Sequence, residues 1–541
     1  MNFKSFNSSD IELLQPLFKN RTSFTCENTI ANIAIWAGEY DMEFAIEKAD
    51  VYIKIAEKNG YIFSIPVCSD LKRAVTSIKQ YCAKEDIPAK FWFEEGQMLD
   101  EFLNLYKGEY LCFNSRNSSE YIYKRENLAN LVGKKFHSKR NHISSFTKKY
   151  NWTFEKLNND NIADARFVAD GWYAANVDPA DTSASAENVG ISFLLDHMDI
   201  FKVQGGILRV DGQPVAFTCG TPINDKVFDV NFEKALPEYQ GAYAVINREF
   251  AKSLNYEFLN REDDLGLPGL RKAKLSYHPD IILKKYICLP RELYNQSREL
   301  HLSVFPEDDF EFATQLLDNF FAENCFYKYL NGKIVSQLFV MDSVVNGISS
   351  GYVYAAATDE EYRRLGYMAE LIETVKKHYG VITLKPAAPD LYGFYAKFGF
   401  KEAFYCDVLN IKINCKESIA AQKIEEIELF KQVRESLLPE PHQLLCDDAL
   451  KLVINNYLIY TDSTEQPKFL AICRKEESRL IISEFIADGY CNEIITGLAG
   501  AMDCESVTAY IHSPQAADKF GMLYSNTDIM PHKMFMGIAL D

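Results

Sequence analysis

The sequence lacks an uninterrupted apolar run of the roughly 18–20 residues needed to cross a bilayer, which argues against a membrane-spanning helix. It also lacks, at residues 1–18, the basic segment and apolar core of a secretory signal. Positive charge is scarce: 58 Lys and Arg face 76 Asp and Glu, and the net charge of -18 at pH 7 disfavours general nucleic-acid binding. We therefore expect a cytoplasmic protein without an integral membrane segment.

The sequence has 13 cysteines but no C-x-x-C pair. Structural zinc sites and thioredoxin-like redox motifs use such pairs, so the sequence predicts neither, and we expect no metal. The cysteines are instead expected to be reduced thiols, mostly buried in the interior of a cytosolic protein.

Four stretches of the chain share one order of elements: strands, then a helix, a strand and a short helix. They begin near residues 50, 205, 333 and 468, and we call them the first to fourth repeats. With 541 residues the chain is too long for a single core, so the repetition predicts duplication of one α/β fold into tandem units with mixed central sheets. The alternative is that generic α/β patterning creates the likeness. Junctions are expected at residues 289–300 and 411–426, the second polar and helix-forming.

The third repeat carries the most specific chemistry. An apolar strand ends in a polar loop, and a helix is predicted to begin at Gly366. The start of a helix presents unpaired N–H groups and partial positive charge, which suit a pyrophosphate, and glycine lets the backbone approach it closely. Arg363 and Arg364 can add charge at the rim. The alternative is a helix start that binds no ligand.

This segment resembles motif A of the GNAT N-acetyltransferase superfamily, Arg/Gln-x-x-Gly-x-Gly/Ala, with Met368 in place of the usual small residue. The resemblance implies that acetyl-CoA is the cosubstrate and that the backbone N–H groups of residues 365–368 hold its pyrophosphate. It also implies that the strand at residues 352–356 splays from its neighbour to admit the pantetheine arm. The implied coenzyme-binding residues are Arg363, Arg364, Leu365, Gly366, Tyr367, Met368, Tyr354 and Ala355.

Residues 386–400 resemble the second signature of that superfamily, Tyr-x-x-x-Gly-Phe, with Tyr395 in the tyrosine position. The resemblance implies direct attack by a substrate amine, without a covalent intermediate, and a phenol that protonates the departing thiolate. The alternative is a core aromatic residue, and Tyr392 is the nearest rival. The general base is unassigned between water and a carboxylate such as Glu361.

The fourth repeat lacks Arg-x-x-Gly before its helix. It has Glu484 and Asp488 instead, and these carboxylates would repel a pyrophosphate. We interpret the fourth repeat as structural, or as a wall of the acceptor site. A catalytic unit followed by a degenerate one resembles the Eis-like acetyltransferases.

Two segments stand out in the first 289 residues. Residues 133–150 contain six Lys or Arg, two His and no acid, which indicates either a phosphate-binding strip or the solvated face of an amphipathic helix. Residues 261–264 read Arg-Glu-Asp-Asp directly after a strand, where ligand groups of α/β folds cluster, and Arg271, Lys272 and Lys274 follow at helical spacing. The carboxylates could hold an amino group while the basic residues hold phosphate or carboxylate. The alternative is a salt-bridged junction.

Both segments resemble the C-terminal catalytic domain of phosphatidylglycerol lysyltransferases, and the resemblance covers nearly all of residues 1–289. It implies a tandem GNAT-like fold and transfer of an aminoacyl group from tRNA to a lipid head group. Lipid specificity is not carried over, since the full lipid synthases have a multi-helix membrane segment. The second repeat has Gln240-Gly241 instead of Arg-x-x-Gly, so coenzyme A binding is not expected there. The implied site residues are Lys135, Lys139, Arg140, Arg261, Glu262, Asp263, Asp264, Arg271 and Lys274.

The sequence thus predicts domains at residues 1–289, 300–410 and 420–541. It predicts an acyltransferase whose third repeat transfers an acetyl group from acetyl-CoA to a small-molecule amine. One alternative is aminoacyl-tRNA-dependent transfer of lysine or alanine, to a lipid or another small acceptor, by the first domain. The other is a non-catalytic protein that binds coenzyme A or tRNA.

Overall fold

The computed structural model describes residues 1–19, 21–176, 182–413, 419–487, 492–512, 516–526, 533–538 and 540. The chain divides into two compact units, Met1–Arg291 and Glu292–Asp541, which we call the N-terminal and C-terminal halves. Each half is built around one 12-stranded sheet flanked by helices, so the predicted α/β class is confirmed. No helix among the described residues is long and apolar enough to cross a membrane.

The elements of the N-terminal half follow in chain order. Its strands are β1 (Lys4–Ser5), β2 (Glu43–Glu47), β3 (Asp50–Glu57), β4 (Gly60–Val67), β5 (Phe91–Glu94), β6 (Tyr110–Lys124), β7 (Trp152–Lys156), β8 (Gln204–Val210), β9 (Gln213–Pro222), β10 (Val227–Ala235), β11 (Phe258–Asn260) and β12 (Ile281–Pro290). Its helices are α1 (Ile11–Leu14), α2 (Ile30–Trp36), α3 (Leu71–Glu85), α4 (Gln97–Leu105), α5 (Arg125–Asn130), α6 (His137–Lys149), α7 (Ile162–Asn176), α8 (Thr182–Asp196), α9 (Met198–Phe201), α10 (Ala242–Ser253) and α11 (Pro268–Leu275).

The elements of the C-terminal half begin with α12, whose first residue, Arg291, is the last residue of the N-terminal half. Its strands are β13 (Cys325–Leu330), β14 (Lys333–Val345), β15 (Ile348–Thr358), β16 (Val381–Leu384), β17 (Lys401–Lys412), β18 (Gln422–Lys423), β19 (Gln443–Leu445), β20 (Leu458–Thr461), β21 (Phe469–Glu476), β22 (Arg479–Ala487), β23 (Ser506–Ile511) and β24 (Asp518–Ser525). Its helices are α12 (Arg291–Val304), α13 (Phe310–Asn324), α14 (Tyr367–His378), α15 (Leu391–Ala396), α16 (Ile427–Leu437), α17 (Asp447–Asn456) and α18 (Asn492–Ala501).

The four predicted repeats are visible as four parallel strand pairs, each joined by one helix. These are β4–α3–β5, β10–α10–β11, β15–α14–β16 and β22–α18–β23. The other ladders between the described strands are antiparallel, so the sheets are mixed as expected. A parallel pair needs a crossover connection, and a helix is the usual one. The repeats are therefore tandem GNAT-like units, two in each half.

Within each half, the two units exchange strands. In the N-terminal half the strand order runs β5-β12-β6-β11, so β12 pairs with the first unit and β6 with the second. In the C-terminal half the order runs β16-β24-β17-β23, which is the same arrangement. The exchange makes one continuous sheet of each half, and the shared order identifies the halves as two copies of one architecture.

Helix α3 shows how the local sequence builds these units. Its N-cap Asp70 accepts a hydrogen bond from the backbone N–H of Arg73 at 3.0 Å, which satisfies an otherwise unpaired donor. Apolar residues recur every three or four positions and face the sheet. The helix ends at Asp86, which adopts the left-handed conformation. The buried residues of α3 are Leu71, Ala74, Val75, Ile78 and Cys82.

Two expectations differ from the structure. Cys112 and Cys288 form a disulfide between β6 and β12, where they lie directly opposite each other, so the expectation of reduced thiols throughout is wrong. The junction at residues 411–426 was expected to be helix-forming, but its described part contains the end of β17 and all of β18. Pairing with neighbouring strands overrides the helix propensity there.

Candidate functional sites at two splayed strand pairs

The third repeat presents an open helix start. Gly366 caps α14 in the left-handed region, with φ of 92°, and no side chain caps the first turn. Nothing lies within 4 Å of the position that a Cβ would occupy on Gly366, and Leu365 is 60% exposed. Arg363 and Arg364 are also exposed. The first N–H groups of α14 are therefore accessible to an anion, as a pyrophosphate cradle requires.

Strands β15 and β16 diverge beside this helix start. Their parallel pairing ends at Val353 opposite Leu384, although β15 continues to Thr358. Register with β14 shifts in the same stretch of β15, and Ala355 has φ of 49°.

 The left-handed backbone of Ala355 bends β15 away from β16, as β-bulges do. Pairing with β16 therefore ends within residues 352–356, where the splay was predicted, although Tyr352 and Val353 are still paired.

Tyr395 lies in the core of the third repeat. Its ring packs edge-on against Phe394 and Phe400, and Met368 and Ala356 pack on the same apolar cluster. Burial raises the pKa of Tyr395 to about 12, so the phenol keeps its proton at neutral pH. Packing thus brings the tyrosine, the cradle and the splayed strand onto one cluster. The core-aromatic interpretation and a proton-donor role are both compatible with this position.

The corresponding helix start in the second repeat is covered. Gly241 caps α10 with φ of 95°, as Gly366 caps α14. A Cβ on Gly241 would lie 2.9 Å from the carbonyl oxygen of His142 and 3.2 Å from Cβ of Phe146, both on α6. Helix α6 therefore occupies the place where a pyrophosphate would approach.

The second repeat has its own splayed pair. Parallel pairing of β10 and β11 ends at Asp229 opposite Asn260, and β10 continues to Ala235. Register with β9 shifts between Asp229 and Phe232, as it does beside the splay of the third repeat. Arg261, the first residue after β11, corresponds in position to Lys385, the first residue after β16.

A buried polar cluster lies at this splay. Asp229 is fully buried, its Oδ2 accepts a hydrogen bond from Asn231 at 2.7 Å, and its Oδ1 has no partner among the described residues. Asn231 also donates to Glu262 at 3.3 Å. Burial, and then the neighbouring Glu262, hold the pKa of Asp229 well above its usual range. Burial likewise raises the pKa of Glu262 to about 8, although Lys274 opposes it.

The cluster can hold a cation. A thiol from Cys26 and carboxylates from Asp229 and Glu262 have ligand atoms within 4.8 Å of one another. Burial, and then Glu120, hold the pKa of the Cys26 thiol well above its usual range. A metal ion or an ammonium group would replace the protons that burial retains on these side chains.

Some of the predicted residues after β11 stabilise the loop that follows this strand. Asp264 is fully buried and accepts two hydrogen bonds of 2.8 Å from Arg271, so this pair braces the junction between β11 and α11. Lys274 donates to the backbone carbonyls of Arg261 and Asp263. These contacts hold the loop in shape, as the salt-bridged interpretation predicted. Burial raises the pKa of Asp263 to about 7.

Arg261 and Lys139 meet over one aromatic ring. The guanidinium carbon of Arg261 lies 5.1 Å from the centre of the Tyr277 ring, and Nζ of Lys139 lies 3.8 Å from it. Arg261 pairs with the buried Glu233 at 2.9 Å, and its Nη1 has no hydrogen-bond partner among the described residues. Burial and the nearby Arg261 lower the pKa of Lys139 to about 8.

The other predicted basic residues remain apart from this cluster. Arg140 donates to the backbone carbonyls of Leu131 and Gly133 at 2.5 and 2.7 Å and fixes the turn before α6. Lys135 is exposed. Helix α6 is amphipathic as its alternative interpretation predicted, with Ile143 and Phe146 buried.

The charged centre of the N-terminal half was not found from the sequence. Glu120 on β6 and Lys285 on β12 are both fully buried and pair at 2.6 Å. Thr25 and the backbone N–H of Cys26 also donate to Glu120, at 2.5 and 3.2 Å, as does Asn260. These groups are distant in sequence and carry no shared motif. Polar residues inside the apolar strand at residues 227–233 were the one signal for the adjoining cluster, because Asp229 and Asn231 interrupt it.

In the fourth repeat, Glu484 pairs with Arg434 on α16. Nε of Arg434 lies 2.8 Å from the carboxylate, both side chains are buried, and the backbone N–H of Ile538 also donates to Glu484. Glu484 is thus part of the scaffold, whereas Asp488 lies outside the described residues. The strand order and the helical connections together define a protein made of tandem GNAT-like units.

Comparison with known proteins agrees with this class. A family model described as phosphatidylglycerol lysyltransferase, C-terminal, matches residues 18–289, about half of the chain. The chain belongs to this family.

Individual proteins are similar to only part of this chain. A conserved protein of unknown function from Bacteroides thetaiotaomicron is 32% identical, with a TM-score of 0.51, over 54% of this chain and 99% of its own. L-PGS from Bacillus licheniformis is 15% identical, with a TM-score of 0.37, over 53% of this chain and 92% of its own. An uncharacterized protein of Mycoplasmoides gallisepticum is 24% identical over 179 residues, which are 32% of this chain and 56% of that relative.

Proposed function

We propose that the protein is an acetyl-CoA-dependent N-acetyltransferase that acts through its third repeat. The observation that carries the proposal is the open start of α14 beside the splayed strands β15 and β16. In the second repeat, α6 covers the equivalent start of α10. An accessible helix start beside two strands that no longer pair suits a pyrophosphate joined to an extended arm.

The residues of the third repeat have distinct roles in this proposal. Acetyl-CoA supplies an acetyl group as a thioester. Backbone N–H groups of residues 365–368 bind the pyrophosphate, with Arg363 and Arg364 at its rim, and the gap at Tyr354 and Ala355 admits the pantetheine arm. The amine attacks the thioester carbonyl directly, and Tyr395 donates its phenolic proton to the departing thiolate.

We expect Gly366→Asp to weaken acetyl-CoA binding at least tenfold, or about 1.4 kcal/mol. The new carboxylate would lie against the pyrophosphate at the helix start, where it also competes for the N–H groups. Titration calorimetry with the full chain measures the affinity. Gly347→Asp is the matched control, because Gly347 has φ of 80°, lies in the same half and has nothing within 4 Å of its Cβ position. Equal affinity of both variants and the wild type would refute the cradle.

Activity separates an enzyme from a coenzyme A sensor. Release of free thiol from acetyl-CoA in the presence of an amine panel is expected for the enzyme. Binding of acetyl-CoA without thiol release from any amine would favour the non-catalytic alternative.

A second candidate function belongs to the N-terminal half. Its family membership and two neighbouring carboxylates favour aminoacyl transfer, in which the buried Asp229 and the partly buried Glu262 hold an ammonium group of the aminoacyl donor. A carboxylate with a buried, unpaired oxygen gains most from such a cationic partner. Transfer of radiolabelled lysine or alanine from tRNA tests this function, and its absence in the wild type would exclude it for these two donors.

If this half binds tRNA, we expect affinity to fall steeply with salt. Each phosphate contact contributes about -0.9 to the log–log slope on a duplex. Replacing Lys134, Lys135, Lys148 and Lys149 by Ala should flatten the slope by up to about three to four units, because these exposed side chains release counterions on binding. Arg140 is left in place, since it supports the turn before α6.

A gel-shift titration with bulk tRNA at about 50 and 200 mM salt measures this salt dependence. Failure of the wild type to bind at the lower salt would leave α6 as a solvated helix face.

A further inference from the structure

A cavity of about 170 Å³ lies in the C-terminal half, on the face of β21, β22 and β23 opposite α18. Its walls combine cationic, hydroxyl and aromatic side chains. Ser483, Thr508 and Phe520 are buried, whereas Arg479 is exposed at the rim. The lining residues are Lys385, Arg474, Arg479, Ile481, Ser483, Thr508, Tyr510 and Phe520.

Three cationic side chains converge on this cavity in a chain whose net charge is -18. Within the described part of the chain, Arg479 hydrogen-bonds the neutral side chains of Thr508 and Asn410, so its charge is not matched by a carboxylate. Arg474 pairs at 3.0 Å with Glu476, whose side chain is half exposed. The Arg479 guanidinium thus brings to the cavity a positive charge that an anion would offset.

The ammonium group of Lys385 lies close to two aromatic rings that line the cavity. Its Nζ lies 4.8 Å from the centre of the Phe520 ring and 5.4 Å from that of Tyr510. Burial, and then repulsion from Arg474, lower its pKa to about 8, although Cys406 opposes the shift. A bound anion would favour the charged form of this lysine.

The cavity adjoins the proposed site of acetyl transfer. Lys385 is the first residue after the point at which β15 and β16 diverge. Lys385 lines the cavity, so the cavity extends to this end of β16. An acceptor with its anionic group in the cavity would therefore have its other end near the splayed strands.

We propose that the cavity binds the carboxylate or phosphate group of the acceptor, so that the acceptor is a small amine that also carries an anion. The planar fork of arginine matches both oxyanions, and the hydroxyls of Ser483 and Tyr510 can donate further hydrogen bonds. The acceptor part of this assignment rests on the proposed acetyltransferase function, whereas anion binding does not.

Anion binding is tested first, by calorimetric unfolding of the full chain in phosphate, acetate or chloride at equal ionic strength. Binding to the native state raises its melting temperature. We expect phosphate, acetate or both to do so relative to chloride, and the two arms show which oxyanion is preferred. Arg479→Gln keeps a polar group beside Thr508 and should need at least about tenfold more anion for the same rise.

Lys475→Gln is the matched control, because Lys475 neighbours Arg474 on β21 but does not line the cavity. Lys385→Gln serves as a second cavity variant if Arg479→Gln does not fold. Equal anion dependence in the wild type and the cavity variant, or no rise above chloride in the wild type, would overturn the assignment.

The acceptor class is tested by thiol release with two matched pairs of amines. These are 3-aminopropionate with 3-aminopropanol, and 2-aminoethyl phosphate with 2-aminoethanol. We expect the anionic member of at least one pair to have a kcat/KM at least about tenfold higher, and Arg479→Gln to raise its KM and remove the preference.

The outcomes separate the two hypotheses. Equal thiol release with both members of each pair would overturn the acceptor class while leaving the acetyltransferase function intact. No release with either pair would also overturn it, and the acetyl-CoA titration and the wider amine panel would then judge the proposed function independently.

Discussion

Lys285→Met is expected to destabilise the N-terminal half by about 3–5 kcal/mol, the typical cost of leaving one member of a buried ion pair without its partner. Lys285 is fully buried between Glu120, at 2.6 Å, and Glu27, at 2.8 Å. Without the lysine, the Glu120 carboxylate stays in the interior with only neutral donors. Lys285 also donates to Thr25, so the network around β6 and β12 loses its centre.

Urea unfolding followed by tryptophan fluorescence measures this effect, because all the tryptophans lie in the N-terminal half and report on it alone. The control is Lys284→Met, since Lys284 is 52% exposed and its pair with Glu95 spans 3.8 Å. The control should change stability by less than about 1 kcal/mol. Similar values for the two variants would show that the buried pair is not a centre of stability. The tryptophans are Trp36, Trp92, Trp152 and Trp172.

The same network predicts the direction of a pH effect. Burial opposes ionisation of Glu120, but Lys285 and the hydrogen bonds overcome it and lower the pKa of this carboxyl. A carboxyl whose pKa is lower in the folded state stabilises the fold above its unfolded pKa, about 4.3, and this stabilisation is lost as pH falls through the folded value. The difference in stability between the wild type and Glu120→Gln should therefore shrink below about pH 4. A difference that grew on acidification would contradict the ionised state of Glu120.

The second large effect is expected in catalysis, where Tyr395→Phe should lower turnover about a hundredfold or more and leave acetyl-CoA affinity nearly unchanged. The ring of Phe would still fill the space between Phe394 and Phe400, so stability should hardly change. The pKa of about 12 keeps the phenol protonated at neutral pH, as a proton donor to a thiolate requires.

Thiol release under saturating acetyl-CoA, together with calorimetric titration, distinguishes turnover from binding. Tyr392→Phe is the control, because Tyr392 is on the same helix and burial also raises its pKa to about 12. Full turnover in Tyr395→Phe would return this residue to a purely structural role. Loss in the Tyr392 variant instead would move the proton donor three residues along α15.

Much of the local structure could be predicted from the sequence. The strand–helix–strand order of all four repeats and the amphipathic helix within residues 133–150 follow from the periodicity of residues close in sequence. The cradle at Gly366 could be located for the same reason, since a strand, a loop and a helix start are consecutive in the chain.

Long-range placement could not be predicted in this way. The sequence by itself determined four α/β repeats, an Arg-x-x-Gly helix start and a basic helix, because each of these depends on neighbours within about twenty residues. Only the tertiary structure decided that β12 and β24 would insert beside the strands of an earlier unit, that Glu120 would meet Lys285, and that α6 would cover Gly241 while Gly366 stayed open. These contacts join residues about 100 or more positions apart in most cases, and strand order in a sheet leaves no period in the sequence from which they could be inferred.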